Sequence, residues 1–101
     1  MVNPSKRKGS GYEREIVRDA QEAGIMAERV PLSGAVKGGS FEQDVQMPVR
    51  GIDRKFECKR RCSGFKQHYR WIEGAYGVIY RDNHEPSLVV LRYEDFLELA
   101  K

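Results

Sequence analysis

The chain has 101 residues, which suits one small domain because two separate cores would each be too small to be stable. Hydrophobic residues make up 40% and charged residues 33% of the sequence, the balance of a folded protein, and no apolar run is long enough to predict a membrane span or a secretion signal. The two cysteines, Cys58 and Cys62, cannot build a disulfide framework, so we expect a reducing cytoplasmic setting.

Charge is distributed unevenly along the sequence. Residues 1–8 carry three cations and no acids, and residues 51–70 carry seven cations and two acids, whereas residues 9–50 and 71–101 are each net acidic. Clustered cations of this kind are typical of surfaces that bind a phosphate backbone. We therefore expect nucleic acid as a partner. A domain this small also favours association with a second copy of itself.

The first predicted elements are an arm and a helix. Residues 1–9 are polar and basic and predict a flexible arm, so that a single folded domain spans residues 10–101. A helix is predicted from Ser10 to Gly24, with the glycine as its C-terminal cap. Its apolar residues recur at helical spacing and share one face: Tyr12, Ile16, Ala20 and Ala23.

Three short strands are predicted next. Residues 27–30 and 43–47 flank a glycine-rich loop over residues 31–40, whose length and glycines suggest a functional loop that approaches a ligand closely. Residues 54–59 alternate in strand fashion, which places Phe56 and Cys58 on the core face. The opposite face of this strand is charged: Lys55, Glu57 and Lys59.

The remaining sequence predicts a helix, a hairpin and a last helix. Helical spacing covers residues 65–73, two β-rich runs at 75–80 and 88–92 flank a turn, and residues 93–100 form the closing helix. Together the elements predict an α/β or α+β domain, in which helices flank a central mixed β-sheet.

Four charged residues stand where simple burial does not explain them: Glu13, Asp44, Glu57 and Lys59. Carboxylates are the ligands that hard cations such as Mg²⁺ need, and a nearby ammonium can orient water for attack on a phosphodiester. Each has a structural alternative. Glu13 completes an S-x-x-E capping box with Ser10, Asp44 suits a solvated strand edge, and Glu57 with Lys59 suits a surface ion pair worth under about 1 kcal/mol.

Other candidate residues favour structural roles. Cys58, Cys62 and His68 lack the four well-spaced ligands of a zinc site, and His84 is typical of a turn. Three aromatic residues could stack on bases, but core packing is favoured for them: Tyr69, Trp71 and Tyr76. Ser33 has no histidine nearby to activate it, so contact with a phosphate is the better functional interpretation.

Four motifs follow one another between Lys6 and Arg61: KRKGSGYEREIV, RVPLSG, an aspartate on a strand, and FECK. In this order they resemble the archaeal-type Holliday junction resolvases, members of the PD-(D/E)xK nuclease superfamily. The resemblance covers over half of the chain. It implies a restriction-endonuclease-like nuclease core and an endonuclease that resolves four-way junctions by paired symmetric nicks, with Mg²⁺ as cofactor and Mn²⁺ as a substitute.

The resemblance also implies roles for single residues. Glu13, Asp44 and Glu57 would be the metal-binding acids, Lys59 would position the hydrolytic water, and Ser33 would lie near the scissile phosphate. The cations expected to contact DNA are Lys6, Arg7, Lys8, Arg29, Lys37, Arg60, Arg61, Lys66 and Arg70. Members of the family work as homodimers, since a two-fold protein matches a two-fold junction. The hairpin strands and the last helix are the expected dimer surface.

Two departures leave alternatives open. The family usually has proline before the strand aspartate, whereas Gln43 precedes Asp44 here, and Glu42 projects to the same strand face as a competing ligand. The chain is also short, which leaves its substrate open. The same nuclease could act on flaps, forks or duplex DNA, the chain could be a catalytically silent nucleic-acid-binding module, or its basic stretch could bind an acidic protein.

Overall fold

The computed structural model describes residues 4–30 and 44–101, with side chains for residues 11–30 and 44–101. The described elements, in chain order, are α1 (Pro4–Glu22), β1 (Glu28–Arg29), β2 (Val45–Val49), β3 (Ile52–Phe56), α2 (Lys66–Ile72), β4 (Gly77–Tyr80), β5 (Leu88–Leu91) and α3 (Tyr93–Ala100). No helix among the described residues is both long and apolar enough to cross a membrane.

These residues form two compact units. The first combines the described part of residues 1–60 with residues 97–101, and the second comprises residues 61–96. The strands pair as two antiparallel sheets, one of order β1-β2-β3 in the first unit and one of order β4-β5 in the second. The mixed α/β class is confirmed, but a single central mixed sheet is not confirmed in the described ranges. One folded domain over residues 10–101 stays a prediction.

Helix α1 begins at Pro4, six residues before the predicted start at Ser10. Proline is well suited to the first helical position, because its missing N–H would have no helical partner there. Residues 4–9, predicted as a flexible arm, are therefore helical. The predicted C-terminal cap is confirmed: Gly24 has φ 90°, its amide donates to the Gln21 carbonyl, and the Ile25 amide donates to the Ala20 carbonyl, as in a Schellman motif.

The core of the first unit forms around β2. Val45 and Met47 are fully buried on one face of this strand, as period-2 alternation requires. The predicted apolar face of α1 is confirmed, since Ile16 and Ala20 are buried with them. The other buried residues of this unit are Ile25, Ala27, Leu97 and Ala100.

A tight turn joins β2 to β3. Arg50 has φ 53° and Gly51 has φ 86°, and two central residues with positive φ match the right-handed twist of paired strands. The Arg50 amide donates to the carbonyl of Ala100 at 2.7 Å, and its Nη1 donates to the carbonyl of Lys101 at 3.0 Å. The turn therefore satisfies carbonyls at the C-terminal end of α3, which no helical amide can reach.

In the second unit, α2 packs on the β4-β5 hairpin through aromatic rings. The His68 ring stacks on Tyr80 with a centroid distance of 5.5 Å, and Trp71 meets the same tyrosine edge-on at 6.0 Å. Arg92, just after β5, donates from its guanidinium to the carbonyls of Ile72 and Ala75 and so satisfies the C-terminal end of α2. The predicted turn position of His84 is confirmed, with φ 67°.

Candidate active site

The β2-β3 pair brings Asp44 against the segment Glu57–Lys59. Asp44 immediately precedes β2 and Glu57 immediately follows β3, and Val45 is the register partner of Phe56. The Asp44 amide donates to the Phe56 carbonyl at 2.7 Å, and the Cys58 amide donates to Oδ2 of Asp44 at 2.9 Å. The carboxylate of Asp44 is therefore held by the backbone in the middle of the E-x-K segment.

Glu13 lies on α1 and is paired with a cation from β1. Its Oε1 lies 3.1 Å from Nε of Arg29, and its side chain is only 19% exposed. The capping-box interpretation of Glu13 is wrong, because Ser10 lies inside a helix that begins at Pro4, not at its N-terminus. Arg29 pairs its guanidinium with this acid, and its contact with DNA stays a prediction.

Cys58 lies in the electrostatic field of both acids. Its side chain is half-buried, and the pKa of the thiol is raised from 9.0 to about 11, chiefly by burial and then by the negative charges of Asp44 and Glu13. The thiol therefore stays protonated and uncharged near neutral pH. Sequence reasoning placed Cys58 in the core and missed this neighbourhood. The signal was present, because strand alternation already put its side chain on the face opposite Glu57.

Glu57 and Lys59 form an exposed ion pair. Nζ of Lys59 lies 3.1 Å from Oε1 of Glu57, and both side chains are more than half exposed. The alternation predicted for this segment is confirmed, since Phe56 and Cys58 are half-buried while Lys55, Glu57 and Lys59 are exposed. The pair accordingly faces solvent, where a nucleic-acid backbone could reach it.

The donor chemistry of the three acids suits a hard divalent cation, because carboxylate oxygens are the ligands that Mg²⁺ and Mn²⁺ prefer. The positions of the three acids fit a metal ion less well than their chemistry does. Within residues 11–30 and 44–101, no group of three histidine, cysteine or acidic side chains converges closely enough to hold a metal ion. Glu13 and Glu57 are instead held by ion pairs with Arg29 and Lys59.

Apart from Arg29, the predicted DNA contacts lie in α1, in the segment after β3 together with α2, and, for Lys37, outside the described residues. Lys6, Arg7 and Lys8 lie in the first turns of α1. Four others are exposed in the segment after β3 and in α2: Arg60, Arg61, Lys66 and Arg70. Ser33, Lys37 and the competing ligand Glu42 lie outside the described residues.

Comparison with known proteins identifies one family. The sequence model of the family described as "Phage putative PDDEXK endonuclease" matches residues 4–101, nearly the whole chain. No curated protein and no solved structure matches significantly. The match spans every described element, including those that follow the E-x-K segment.

Proposed function

The chain belongs to the phage PDDEXK endonuclease family, and from this membership we propose that it is a Mg²⁺-dependent, structure-selective DNA endonuclease that resolves four-way junctions. Family membership supports the nuclease chemistry. The order of the four motifs between Lys6 and Arg61 supports the junction as substrate, since it resembles the archaeal-type resolvases.

The observation that carries the nuclease proposal is the hydrogen bond from the Cys58 amide to Asp44. It joins the strand aspartate to the segment that contains Glu57 and Lys59, so the two halves of the motif that names the family meet in space. The pairing of β2 with β3 brings them together, because Asp44 precedes the first strand of this hairpin and Cys58 lies just after the second.

In this proposal Glu13, Asp44 and Glu57 would hold the cation, which would supply positive charge to the scissile phosphate and acidify a bound water. To bind the cation, Glu13 and Glu57 would release their present ion-pair partners, Arg29 and Lys59. Lys59 would then hold the attacking water by its ammonium group. Water adds to phosphorus, the bond to the 3′ oxygen breaks, and that oxygen takes up a proton, which gives 5′-phosphate and 3′-hydroxyl ends.

We further propose that DNA is held by charge and shape through the exposed cations after β3 and along α2. Contacts of this type go to phosphates and carry no base information, so binding should weaken steeply as salt is added. Two symmetric nicks call for a homodimer. The β4-β5 hairpin supports one, because the cross-strand partners Ile79 and Val89 are both largely exposed. Light scattering of Ile79→Asp should then report a monomer.

A second candidate is a catalytically silent nucleic-acid-binding module. The absence of a three-ligand cluster among the described side chains, and the ion pairs that hold Glu13 and Glu57, favour it. In that case the acids serve structure, and Glu57→Ala would leave every activity unchanged.

The deciding experiment is cleavage of an end-labelled four-way junction beside a linear duplex of the same sequence, with Mg²⁺ or with EDTA. Wild type is compared with Glu57→Ala and with Glu98→Ala, an exposed acid on α3 that serves as the matched control. Symmetric nicks on the junction alone, lost in EDTA and in Glu57→Ala but kept in Glu98→Ala, are the expected result.

Two outcomes would overturn parts of the proposal. Equal cutting of junction and duplex would leave a metal-dependent nuclease but remove the junction assignment. Binding of DNA without cleavage in Mg²⁺ and in Mn²⁺ would contradict the nuclease proposal and support the silent nucleic-acid-binding module.

A further inference from the structure

Helix α2 exposes an aromatic residue that sequence analysis assigned to the core. Tyr69 is 74% exposed, and its side chain has no hydrogen bond or ring contact with any other described residue. The packed side of α2 consists of His68, Trp71 and Ile72 instead, since the first two contact Tyr80 and the third is buried. The core prediction for Tyr69 is wrong because α2 has only seven residues, too few to bury a broad stripe.

Two cations share the exposed side with Tyr69. Lys66, Tyr69 and Arg70 stand at positions i, i+3 and i+4 of α2, and such residues are neighbours on one face of a helix. Both cations are exposed, and α2 contains no acidic residue. We call these three residues the α2 face: a tyrosine ring and two positive charges on one side of the helix.

A further cation is fixed close to the start of α2. The guanidinium carbon of Arg61 lies 5.2 Å from the centroid of the Phe65 ring, in the geometry of a cation–π contact. Gly64, with φ 115°, makes room for this arginine, because a Cβ at that position would lie 2.9 Å from its Nη1. Arg61 is therefore exposed but held in place, so little side-chain freedom is lost when it binds an anion.

This combination fits one class of ligand. A ring with a free face stacks on an unpaired base whatever its identity, and cations beside it bind the phosphates on either side of that base. Duplex DNA keeps its bases stacked on one another and offers no free base face. Exposed aromatic residues that occur singly need no explanation, but a tyrosine that shares its side of a helix with two cations and no acid matches the chemistry of single-stranded nucleic acid.

We propose that the α2 face, with Arg61, is a binding site for an unpaired nucleotide of the DNA substrate, stacked on Tyr69. This inference rests on the proposed function and deepens it, since it adds recognition of unpaired bases to recognition of backbone charge. Such bases occur in the single-stranded part of a flap or fork, and at the exchange point of a junction when a base pair opens there.

The test measures binding in EDTA, where no cleavage occurs. The probe is a short single-stranded oligonucleotide with one 2-aminopurine, whose fluorescence is quenched when the base stacks on an aromatic ring. Wild type should quench it, and Tyr69→Ala should remove the quenching and weaken binding about ten-fold, the usual loss for one stacked base. Tyr69→Phe, which keeps the ring, should restore both signals. Affinity for a linear duplex should be the same in all three proteins.

Two controls keep the test specific. Tyr76→Ala makes the same chemical change at a tyrosine that is 58% exposed but lies outside α2, and it should leave quenching unchanged. Circular dichroism should report a folded Tyr69→Ala, because alanine is the best helix former and the replaced side chain is exposed.

The inference would be overturned by normal quenching in Tyr69→Ala, by an equal loss on duplex and single strand, or by failure of Tyr69→Phe to restore the signal. None of these results bears on metal-dependent cleavage of the junction. Quenching that depends on Tyr69 in a protein that does not cleave would support this inference and contradict the proposed function. Cleavage without such quenching would do the reverse.

Discussion

The backbone amide of Cys58 donates a hydrogen bond to Oδ2 of Asp44, although the two residues lie on opposite arms of a hairpin. Asp44 is therefore both a candidate metal ligand and an acceptor that fixes the E-x-K segment. The two roles separate by substitution, because asparagine keeps a carbonyl oxygen for the amide but loses the charge.

We expect Asp44→Asn to abolish cleavage while changing the free energy of unfolding by less than about 0.5 kcal/mol. Asp44→Ala should abolish cleavage and also destabilise the chain by about 1 to 2 kcal/mol, since it leaves the partly buried Cys58 amide without its acceptor. Urea unfolding monitored by circular dichroism measures the difference. Equal stability of the two variants would show that the hydrogen bond from the Cys58 amide to Asp44 does not stabilise the fold.

The ion pair between Arg29 and Glu13 predicts a coupling between them. A double-mutant cycle of Glu13→Gln and Arg29→Gln should give an interaction energy of about 0.5 to 1 kcal/mol, because the pair is only partly shielded from water. In DNA-binding assays Arg29→Gln should change the affinity little, since the guanidinium already pairs with Glu13. A clear drop in DNA affinity, with a smaller salt dependence of binding, would show that Arg29 contacts DNA.

The two cysteines should differ in reactivity. Cys62 is exposed, whereas burial and the charges of Asp44 and Glu13 raise the pKa of Cys58 to about 11. Only thiolates react with iodoacetamide, so at pH 8 we expect alkylation of Cys62 to be much faster. The Cys58 rate should keep rising with pH beyond 9, where an ordinary thiol levels off. Mass spectrometry of timed samples reads both sites, and comparable rates at pH 8 would contradict the shielded position of Cys58.

Two glycines should respond in opposite directions to alanine. A Cβ at Gly77, in β4, would lie 2.5 Å from Cδ2 of Leu91 and 2.8 Å from the Val90 carbonyl oxygen, and that backbone atom cannot move aside. Gly77→Ala should cost on the order of 1 to 3 kcal/mol. Gly11, inside α1, has open space around it, so Gly11→Ala should stabilise by about 0.5 to 1 kcal/mol. Thermal unfolding compares the two, and a destabilised Gly11→Ala would contradict the helix that runs through this position.

Elements with a strong local pattern were predictable. The last helix, expected over residues 93–100, spans Tyr93–Ala100, because apolar spacing decides a short amphipathic helix. Strand β2 was expected two residues too early, since Pro48 argues against a strand. The strand tolerates it because β1 pairs only with Val45 and Gln46, so that among the strands of the described residues only β3 neighbours Pro48.

Features that depend on distant partners were not predictable. The grouping of strands into sheets depends on pairing between segments that are distant in sequence. The period of apolar residues within one segment carries no information about that pairing. The partner of Glu13 was misjudged for a similar reason: a capping box requires a helix that starts at Ser10, and the start lies further upstream. Arg29 is sixteen residues away in sequence, so only the folded chain brings it to that acid.

The bonds from Arg50 to the end of α3 impose an order on synthesis. During translation, residues 61–96 are made before Ala100 and Lys101. The turn between β2 and β3 therefore lacks the carbonyl acceptors of Arg50 until the whole second unit has been synthesised. Until then the sheet that positions Asp44 lacks the residues 97–101 that complete its core. The scaffold that positions Asp44 is therefore complete only after residues 97–101 have been made, so folding of the first unit during synthesis ends much later than the synthesis of residues 1–60.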